Sequence, residues 1–321
     1  MSVDCLACVR RLARVALPLV ACISVAVSTG GCAIKKVALN SLANTLSQSG
    51  DTFSSDDDPE LVRDAVPFAL KTYESLLASL PRHRGLLVAT CSGFTQYSYA
   101  FIQADAEQLE PRDYEAAVAL RERSLKLFLR GRGYCLRALD LESPGIAERL
   151  NRDPAAALRP FSRRHVPLLY WTAASWGAAV SLGLDRPALV GDLPTVRAIF
   201  DRALALDEPY GEGAIHEALI SLEAVPEAMG GSTARARAHF DRAVALQHGR
   251  RAGAYVTLAT SVSLAAQDRE EFVRLLDQAL AVDPDAEPGS RLANLIAQKR
   301  ARDLLARVDD LFVPGAEVPR P

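Results

Sequence analysis

The best candidate for acid–base chemistry in this sequence is the pair Glu212 and His216. They lie four residues apart, so a helix would place both side chains on one face. A carboxylate that orients an imidazole is the arrangement of a general base. Pairs of this kind more often make surface or groove contacts, and neither a nucleophile motif nor a glycine-rich phosphate loop accompanies this one. We therefore predict no catalytic residue and no enzymatic activity.

Two further polar clusters have side chains that bind ions in other proteins. Asp56–Asp58 resembles part of a calcium loop but lacks the glycine and the closing glutamate that such a loop needs. Arg163–His165 could receive an anionic ligand, although a solvated loop is the simpler interpretation. No spacing of Cys and His matches a zinc site. The sequence predicts no metal ion and no cofactor.

Aromatic side chains are the stronger indication of binding. They are concentrated in two predicted helices, although they make up only 6% of the chain. Aromatic residues that line a groove or channel bind apolar or planar ligands, and core packing is the alternative, favoured for Tyr97. Trp171 and Trp176 lie five positions apart, so we expect them to face different directions. The tentative ligand-binding residues are Tyr97, Tyr99, Tyr170, Trp171, Trp176 and His216.

The elements that must position these residues are helices. Ala and Leu dominate the chain, and clusters of β-branched residues are few outside the N-terminus, which indicates an all-α fold. A length of 321 residues with 49% hydrophobic residues allows one large domain or two small ones. The formal net charge is -2, without a basic stripe, so we expect no nucleic-acid partner.

One seven-residue phrase recurs along the second half of the chain. Phe200–Leu206 returns as Phe240–Leu246 and more loosely as Leu276–Val282, at spacings of 40 and 36 residues. Small and large apolar residues alternate as in the second helix of a tetratricopeptide hairpin. We therefore predict an array of degenerate tetratricopeptide-like (TPR) helical hairpins, an α-solenoid, over residues 59–312. An ordinary helical bundle is the alternative.

The N-terminus has the pattern of a secretory signal. Three arginines precede the apolar run Val15–Val27, which is shorter than the about 20 residues that span a bilayer. Cys32 follows two glycines, as in bacterial lipoproteins, and this resemblance implies a diacylated Cys32. Ala33 then favours the outer membrane. An ordinary signal peptide is the alternative.

The domain organisation follows from these segments. We predict a lipoprotein signal peptide over residues 1–31, a flexible tether over 32–58 with a short helix near Val37–Leu46, and a disordered tail over 313–321. Cys91 and Cys135 would remain in an oxidising compartment after cleavage. They either form a disulfide or stay as two separately buried thiols.

Several short segments, taken in their order, resemble the T-component of tripartite (TRAP) transporters. The resemblance implies an all-α periplasmic lipoprotein, built on degenerate TPR repeats, that associates with the solute-binding P-component. It also implies ring-like trimers with an apolar channel, but no ligand motif at residue level. The segments are Asp58–Leu61, Pro67–Glu74, Tyr170–Trp171, Ser175–Trp176, Phe200–Leu206, Gly213–His216, Gln267–Arg269, Arg291–Asn294 and Asp309–Phe312.

The predicted function joins these features. We expect a lipid-anchored periplasmic protein that docks the solute-binding component of a TRAP transporter and binds or relays a small hydrophobic ligand. The expected partners are that protein, the ligand, the membrane through the lipid anchor, and further copies of the chain in a trimer. The alternative is a TPR-like lipoprotein scaffold for outer-membrane or envelope assembly.

Overall fold

A computed structural model describes residues 39–47 and 50–313, and every regular element within them is helical. This confirms the all-α class, whereas the TPR-like arrangement remains a prediction. Cys32, the signal peptide and residues 314–321 lie outside the described residues. The α-helices are α1 (39–47), α2 (Gly50–Ser54), α3 (Pro59–Ser79), α4 (Arg84–Tyr97), α5 (Ala104–Leu109), α6 (Tyr114–Glu142), α7 (Ile146–Arg152), α8 (Pro154–Leu158), α9 (Val166–Leu182), α10 (Pro187–Val190), α11 (Leu193–Leu206), α12 (Ala214–Glu223), α13 (Thr233–Gln247), α14 (Gly253–Leu258), α15 (Arg269–Leu280), α16 (Arg291–Leu305) and α17 (Val308–Leu311).

Shorter helical turns join several of these helices. A π-helical turn connects α4 to α5, and a second one follows α14. Four 3-10 turns lie in the connections. These turns are Ser98–Gln103, Arg163–His165, Tyr210–Glu212, Glu227–Met229, Ala259–Ser263 and Pro288–Ser290. The π-helical turn at Ser98 matters most, because it sets the direction of Tyr99 relative to α4.

Side-chain caps begin several helices where the sequence offers them. The Asp58 carboxylate accepts hydrogen bonds from the backbone N–H groups of Glu60 and Leu61 at the start of α3. Ser232 and Asp268 cap α13 and α15 in the same way. Pro67 lies inside α3, and the helix nevertheless continues to Ser79. Its fixed φ suits a helix, and it removes only one backbone donor.

The core is formed by successive helices that pack on one another. α6 lies against both α4 and α9, α9 packs on α11, α12 on α13, and α15 on α16. Two large groups of buried side chains result, one from α1 to α12 and one from α12 to α17, and a small third group joins α6 to α9 through Leu125, Phe128 and Ala179. Leu219 belongs to the first and Ile220 to the second, so α12 connects the two groups.

The recurring phrase lies in α11, α13 and α15, as expected for equivalent helices. Its alanines, Ala203, Ala243 and Ala279, are fully buried. A Cβ atom added to Gly213 would lie 3.4 Å from the Cα atom of Ala243, so two backbones approach closely there. Small residues thus mark contacts between helices, which is the packing role predicted for them.

The first described helix, α1, packs on the body of the protein although it lies in the predicted tether. Ala43 is fully buried, and the Tyr73 hydroxyl donates to the backbone oxygen of Leu46 at 3.0 Å. His83 contacts Asn44 at 3.0 Å. The short helix expected near Val37–Leu46 is therefore present and is part of the packed structure.

Cys91 and Cys135 form a disulfide between α4 and α6. Of the two alternatives that the sequence left open, the structure thus has the bonded pair. Both residues are fully buried, and the bond lies in the contact where α6 packs on α4.

Among the residues described, no helix combines the length and the hydrophobicity needed to cross a bilayer.

The last long helix, α16, returns to the N-terminal part of the chain. The Arg300 guanidinium makes two hydrogen bonds to the Glu107 carboxylate, at 2.8 and 2.9 Å, across 193 positions of sequence. Arg307 donates to the backbone oxygen of Glu107 at 2.7 Å, and Arg291 donates to that of Ser55 at 3.2 Å. These contacts close the helical array on itself.

Candidate functional site

An aromatic cluster surrounds Tyr170 on α9. Its ring centroid lies 4.9 Å from that of Trp171, 5.4 Å from Tyr210 and 6.3 Å from Phe200. The rings of Trp171 and Phe200 meet Tyr170 edge to face, the arrangement that aromatic quadrupoles favour. We call Tyr170, Trp171, Phe200 and Tyr210 the aromatic cluster; it is held by α9, α11 and the turn before α12.

The cluster borders interior space. Tyr170, Trp171 and Tyr210 are only half-buried. Burial nevertheless raises the pKa of Tyr210 to about 12, and burial together with the charge of Glu217 raises the pKa of Tyr170. Accessible surface combined with strong desolvation is expected of side chains that line a recess rather than an outer face.

Charged residues border the same recess. α12, which carries Glu217, packs on α9, and the charges of Glu217 and Arg251 act on the pKa of Tyr170, the first raising it and the second lowering it. Glu217 accepts a hydrogen bond from Gln247 Nε2 at 3.0 Å, and burial raises the pKa of its carboxyl. Arg251 is paired with Glu212 at 2.9 Å. We use the name interior recess for the space bordered by Tyr99, Tyr170, Trp171, Tyr210, Glu217 and Arg251.

Tyr99 is 48% exposed, so it borders the interior recess from the solvent side, and it also contacts α16. Its hydroxyl accepts a hydrogen bond from Arg300 at 3.0 Å, and the guanidinium lies 5.7 Å from the ring centroid. Arg300 is in turn held by Glu107. The position of Tyr99 therefore depends on α16 being in place.

Three of the predicted ligand-binding residues lie outside the interior recess: Trp176, Tyr97 and His216. Trp176 is 4% accessible; its indole N–H donates to Asp192 at 2.8 Å, and Arg132 lies 4.8 Å from its ring centroid. Tyr97 packs against Phe101 with ring centroids 5.7 Å apart. Both side chains support the core, and the two tryptophans face different directions as expected.

His216 contacts residues other than Glu212, the neighbour that the spacing in the sequence suggested. Its Nδ1 lies 2.8 Å from Nδ1 of His239, and its Nε2 lies 3.3 Å from Glu208 Oε1. Burial lowers the pKa of both histidines. The spacing would place Glu212 beside His216 only within one helix, and no single helix carries both, because Gly211 to Gly213 adopt positive φ angles and α12 begins only at Ala214. The left-handed turn directs Glu212 to Arg251 instead.

Comparison with known families identifies the chain. The sequence model of the TRAP transporter T-component family matches residues 55–312. The chain belongs to this family. A protein from Treponema pallidum (strain Nichols), described as an "Uncharacterized protein", is 30% identical over 302 residues, which cover 88% of this chain and 94% of the relative. Family membership indicates a role in TRAP transport, and the family is transport-associated rather than a known enzyme family.

Sequence reasoning missed three residues of this T-component's recess: Tyr210, Glu217 and Arg251. A charged Glu217 stands in α12 beside Ile215, Leu219 and Ile220, which are all buried. A carboxylate within such an apolar helix was a usable indication. Tyr210 and Arg251 lie in connections, and only the tertiary structure shows that they approach α9.

Two surface features of the T-component are separate from the recess. Leu61 and Phe68 are 59% and 79% exposed. They lie seven residues apart on α3, so they share one face of this helix. An open depression of about 780 Å³ lies on α15. It is wide open to solvent, unlike the enclosed clefts that bury a small ligand; the residues are Arg269, Glu270, Val273, Arg274, Asp277, Gln278 and Ala281.

Proposed function

We propose that this T-component is a lipid-anchored periplasmic protein that docks the solute-binding P-component and binds or relays a small hydrophobic ligand. The family match supports the transport role. The observation that carries the ligand-binding part is the aromatic cluster, whose rings border accessible interior space. Homo-oligomerisation, as a trimer, is part of the same proposal.

The ligand would lie against the aromatic faces of the interior recess. Tyr170, Trp171 and Tyr210 keep accessible surface, although the protein packed around Tyr170 and Tyr210 raises the pKa of both hydroxyls. An apolar molecule that displaces water from such surfaces gains about 0.8 kcal/mol for each buried CH₂ group. A compound of moderate length would therefore bind without a dedicated set of polar contacts.

The helices around the recess form an array of TPR-like hairpins in this proposal. The recurring phrase in α11, α13 and α15, with its buried alanines, supports equivalent helices. Such arrays present concave surfaces to partners. Their closure through Arg300 and Glu107 would give the recess a complete wall.

The lipid anchor would hold the body close to the membrane. Six residues separate Cys32 from the first residue of α1. An extended chain of that length reaches at most about 25 Å. Because the Tyr73 hydroxyl on α3 donates to the backbone oxygen of Leu46 in α1, the whole helical body would stay near the bilayer surface.

Native mass spectrometry tests the ligand proposal. The soluble form that begins after Cys32 is expected to retain a small apolar molecule, and Trp171→Ala is expected to lose it. Phe68→Ala, which changes an exposed ring on α3, is the matched control and should retain the molecule. Equal retention in all three proteins would count against the recess. The same spectra report whether the protein is a trimer.

Docking is tested with the full-length protein in membranes. Chemical cross-linking followed by purification is expected to recover the solute-binding protein, and Cys32→Ala is expected to move the complex into the soluble fraction. Recovery of envelope-assembly proteins without a solute-binding protein would support the scaffold function instead.

A further inference from the structure

Glu217 differs from the other interior carboxylates of this protein in having no cationic partner. In the part of the chain that the structure describes, no Lys or Arg side chain lies within ion-pair distance of it. Its one side-chain hydrogen bond comes from the neutral amide of Gln247. The comparable pairs are Glu107 with Arg300, Glu223 with Arg197 and Arg235, and Glu271 with Arg237.

The residues around Glu217 leave room for its carboxylate but place no described cationic side chain within ion-pair distance of it. A Cβ atom on Gly253 would lie 2.3 Å from Glu217 Oε1, so only glycine lets the carboxylate occupy this place. Gln247 satisfies Oε2, and Arg251, itself paired with Glu212, compensates the charge only from beyond ion-pair distance. Buried carboxylates are normally paired, so an unpaired one that borders accessible space indicates a group reserved for a ligand.

The two arginines near the recess are already engaged. Arg251 is bound to Glu212 at 2.9 Å, and Arg300 makes a two-bond contact with Glu107. An anionic ligand would have to break one of these pairs. A cation would instead meet an open carboxylate, together with aromatic faces that attract positive charge.

We infer that the interior recess takes a ligand with a protonated amine on an apolar body. The amine binds the carboxylate of Glu217, and the apolar body lies against Tyr170, Trp171 and Tyr210. This inference rests on the proposed function, because it specifies the ligand of the same recess. Burial raises the pKa of Glu217, and protonation of this carboxyl lowers the free-energy cost of burying it while the recess is empty. A bound ammonium group favours the ionised carboxylate instead.

Titration calorimetry with three probes of equal chain length tests the inference. The probes are hexylammonium, hexanol and hexanoate, and the protein is the soluble chain that begins after Cys32. Hexylammonium is expected to bind roughly tenfold or more tightly than hexanol, the effect of one charge-assisted hydrogen bond. Hexanoate is expected to bind most weakly.

Substitutions assign the preference to one residue. Glu217→Gln keeps the shape of the side chain, so it is expected to abolish the preference for hexylammonium and leave hexanol binding within about twofold. Glu122→Gln, at an exposed pair with Arg186, controls for general attraction of cations and should change nothing. A thermal melt of each variant confirms that it is folded.

The outcomes separate this inference from the proposed function. If hexanol and hexylammonium bind equally well and Trp171→Ala weakens both, the recess binds apolar ligands and the amine inference is overturned. If hexanoate binds most tightly, the inference is also overturned, in favour of an arginine. If no probe binds, both the inference and the ligand-binding part of the proposed function fail.

Discussion

At the scale of single residues, buried charges are the groups on which this fold depends most directly. Glu223 is 3% accessible and lies between two arginines. Arg235 Nε donates to Glu223 Oε2 at 2.7 Å, and Arg197 pairs with the other oxygen. Both guanidinium groups also donate to the backbone oxygen of Gly230. One carboxylate thereby connects α11, α12, α13 and the turn between the last two.

Removal of Glu223 should destabilise the protein substantially. Glu223→Ala leaves two guanidinium groups without their counter-charge, and we expect a loss of about 3 kcal/mol in the free energy of unfolding. Glu122→Ala, in an exposed pair with Arg186, should cost less than about 1 kcal/mol. Urea unfolding of both variants measures the difference. Equal, small losses would show that the buried pair contributes little.

The histidine pair between α12 and α13 should make stability depend on pH. Burial lowers the pKa of His216 and His239 in the folded protein, so the unfolded chain binds protons more readily. The stabilising contribution is then complete above about pH 6.5, the ordinary histidine pKa, and is lost as pH falls through the lower folded values. Urea unfolding from pH 7.5 to 5 should show this loss.

A substitution identifies the pair as the cause. His239→Gln is expected to reduce the slope of stability against pH, because one of the two histidines with a lowered pKa is gone. His248→Asn, at an exposed position after α13, is the control. An unchanged slope in His239→Gln would assign the pH dependence to other groups.

At the scale of elements, the contact between α4 and α6 combines packing with a covalent bond. Leu86, Leu87 and Phe128 are among the buried side chains of these helices, and the disulfide joins residues 44 positions apart. A bond that closes a loop of this length restricts the unfolded chain. The two helices are thus held together both when folded and when partly unfolded.

Loss of the disulfide should weaken the fold without abolishing it. The double substitution Cys91→Ala and Cys135→Ala is expected to lower the free energy of unfolding by about 2–4 kcal/mol. Helix content should stay unchanged, because the apolar contacts of α4 and α6 remain. Circular dichroism with urea unfolding measures both quantities, and wild-type protein with a reductant is the control. A stability equal to that of the oxidised wild type would contradict this expectation.

At the scale of the whole molecule, the return of α16 to α5 decides the shape of the interior. Arg300 is bonded to Glu107 and to Tyr99, one of the residues that border the recess. Arg307 adds a contact to the backbone of Glu107. The closure and the recess are therefore parts of one structure, and opening the first should change the second.

Breaking the contact between α16 and α5 should expose both helices to solvent. Arg300→Met removes the guanidinium and leaves Glu107 unpaired, so amide hydrogen exchange in these two helices should become faster. Lys299→Met, at an exposed pair with Asp303 on α16, is the matched control. If amide hydrogens of α5 and α16 exchange as slowly in Arg300→Met as in the wild type, the contact between these helices does not depend on the pair of Arg300 and Glu107. Hexanol binding should weaken in parallel with faster exchange.

Local features of the sequence were enough to predict much of the fold. Caps at Asp58, Ser232 and Asp268 and the apolar periodicity between them depend on neighbours within a few residues, so the helices could be read directly. The family resemblance was also visible in short segments and is confirmed over residues 55–312. Tyr170 and Trp171 were selected as aromatic candidates from the sequence, and their ring centroids lie 4.9 Å apart in the aromatic cluster; their part in ligand binding stays a prediction.

The composition of the recess was decided by the tertiary structure. Glu217 and Gln247 are 30 positions apart, and Arg300 and Tyr99 are 201 apart, so no local pattern connects them. The left-handed turn at Gly211–Gly213 also redirects Glu212 from His216 to Arg251. Spacing along a helix predicts neighbours only while the helix continues. Pairings across turns and across the closure depend on how the helices pack, which is a property of the whole chain.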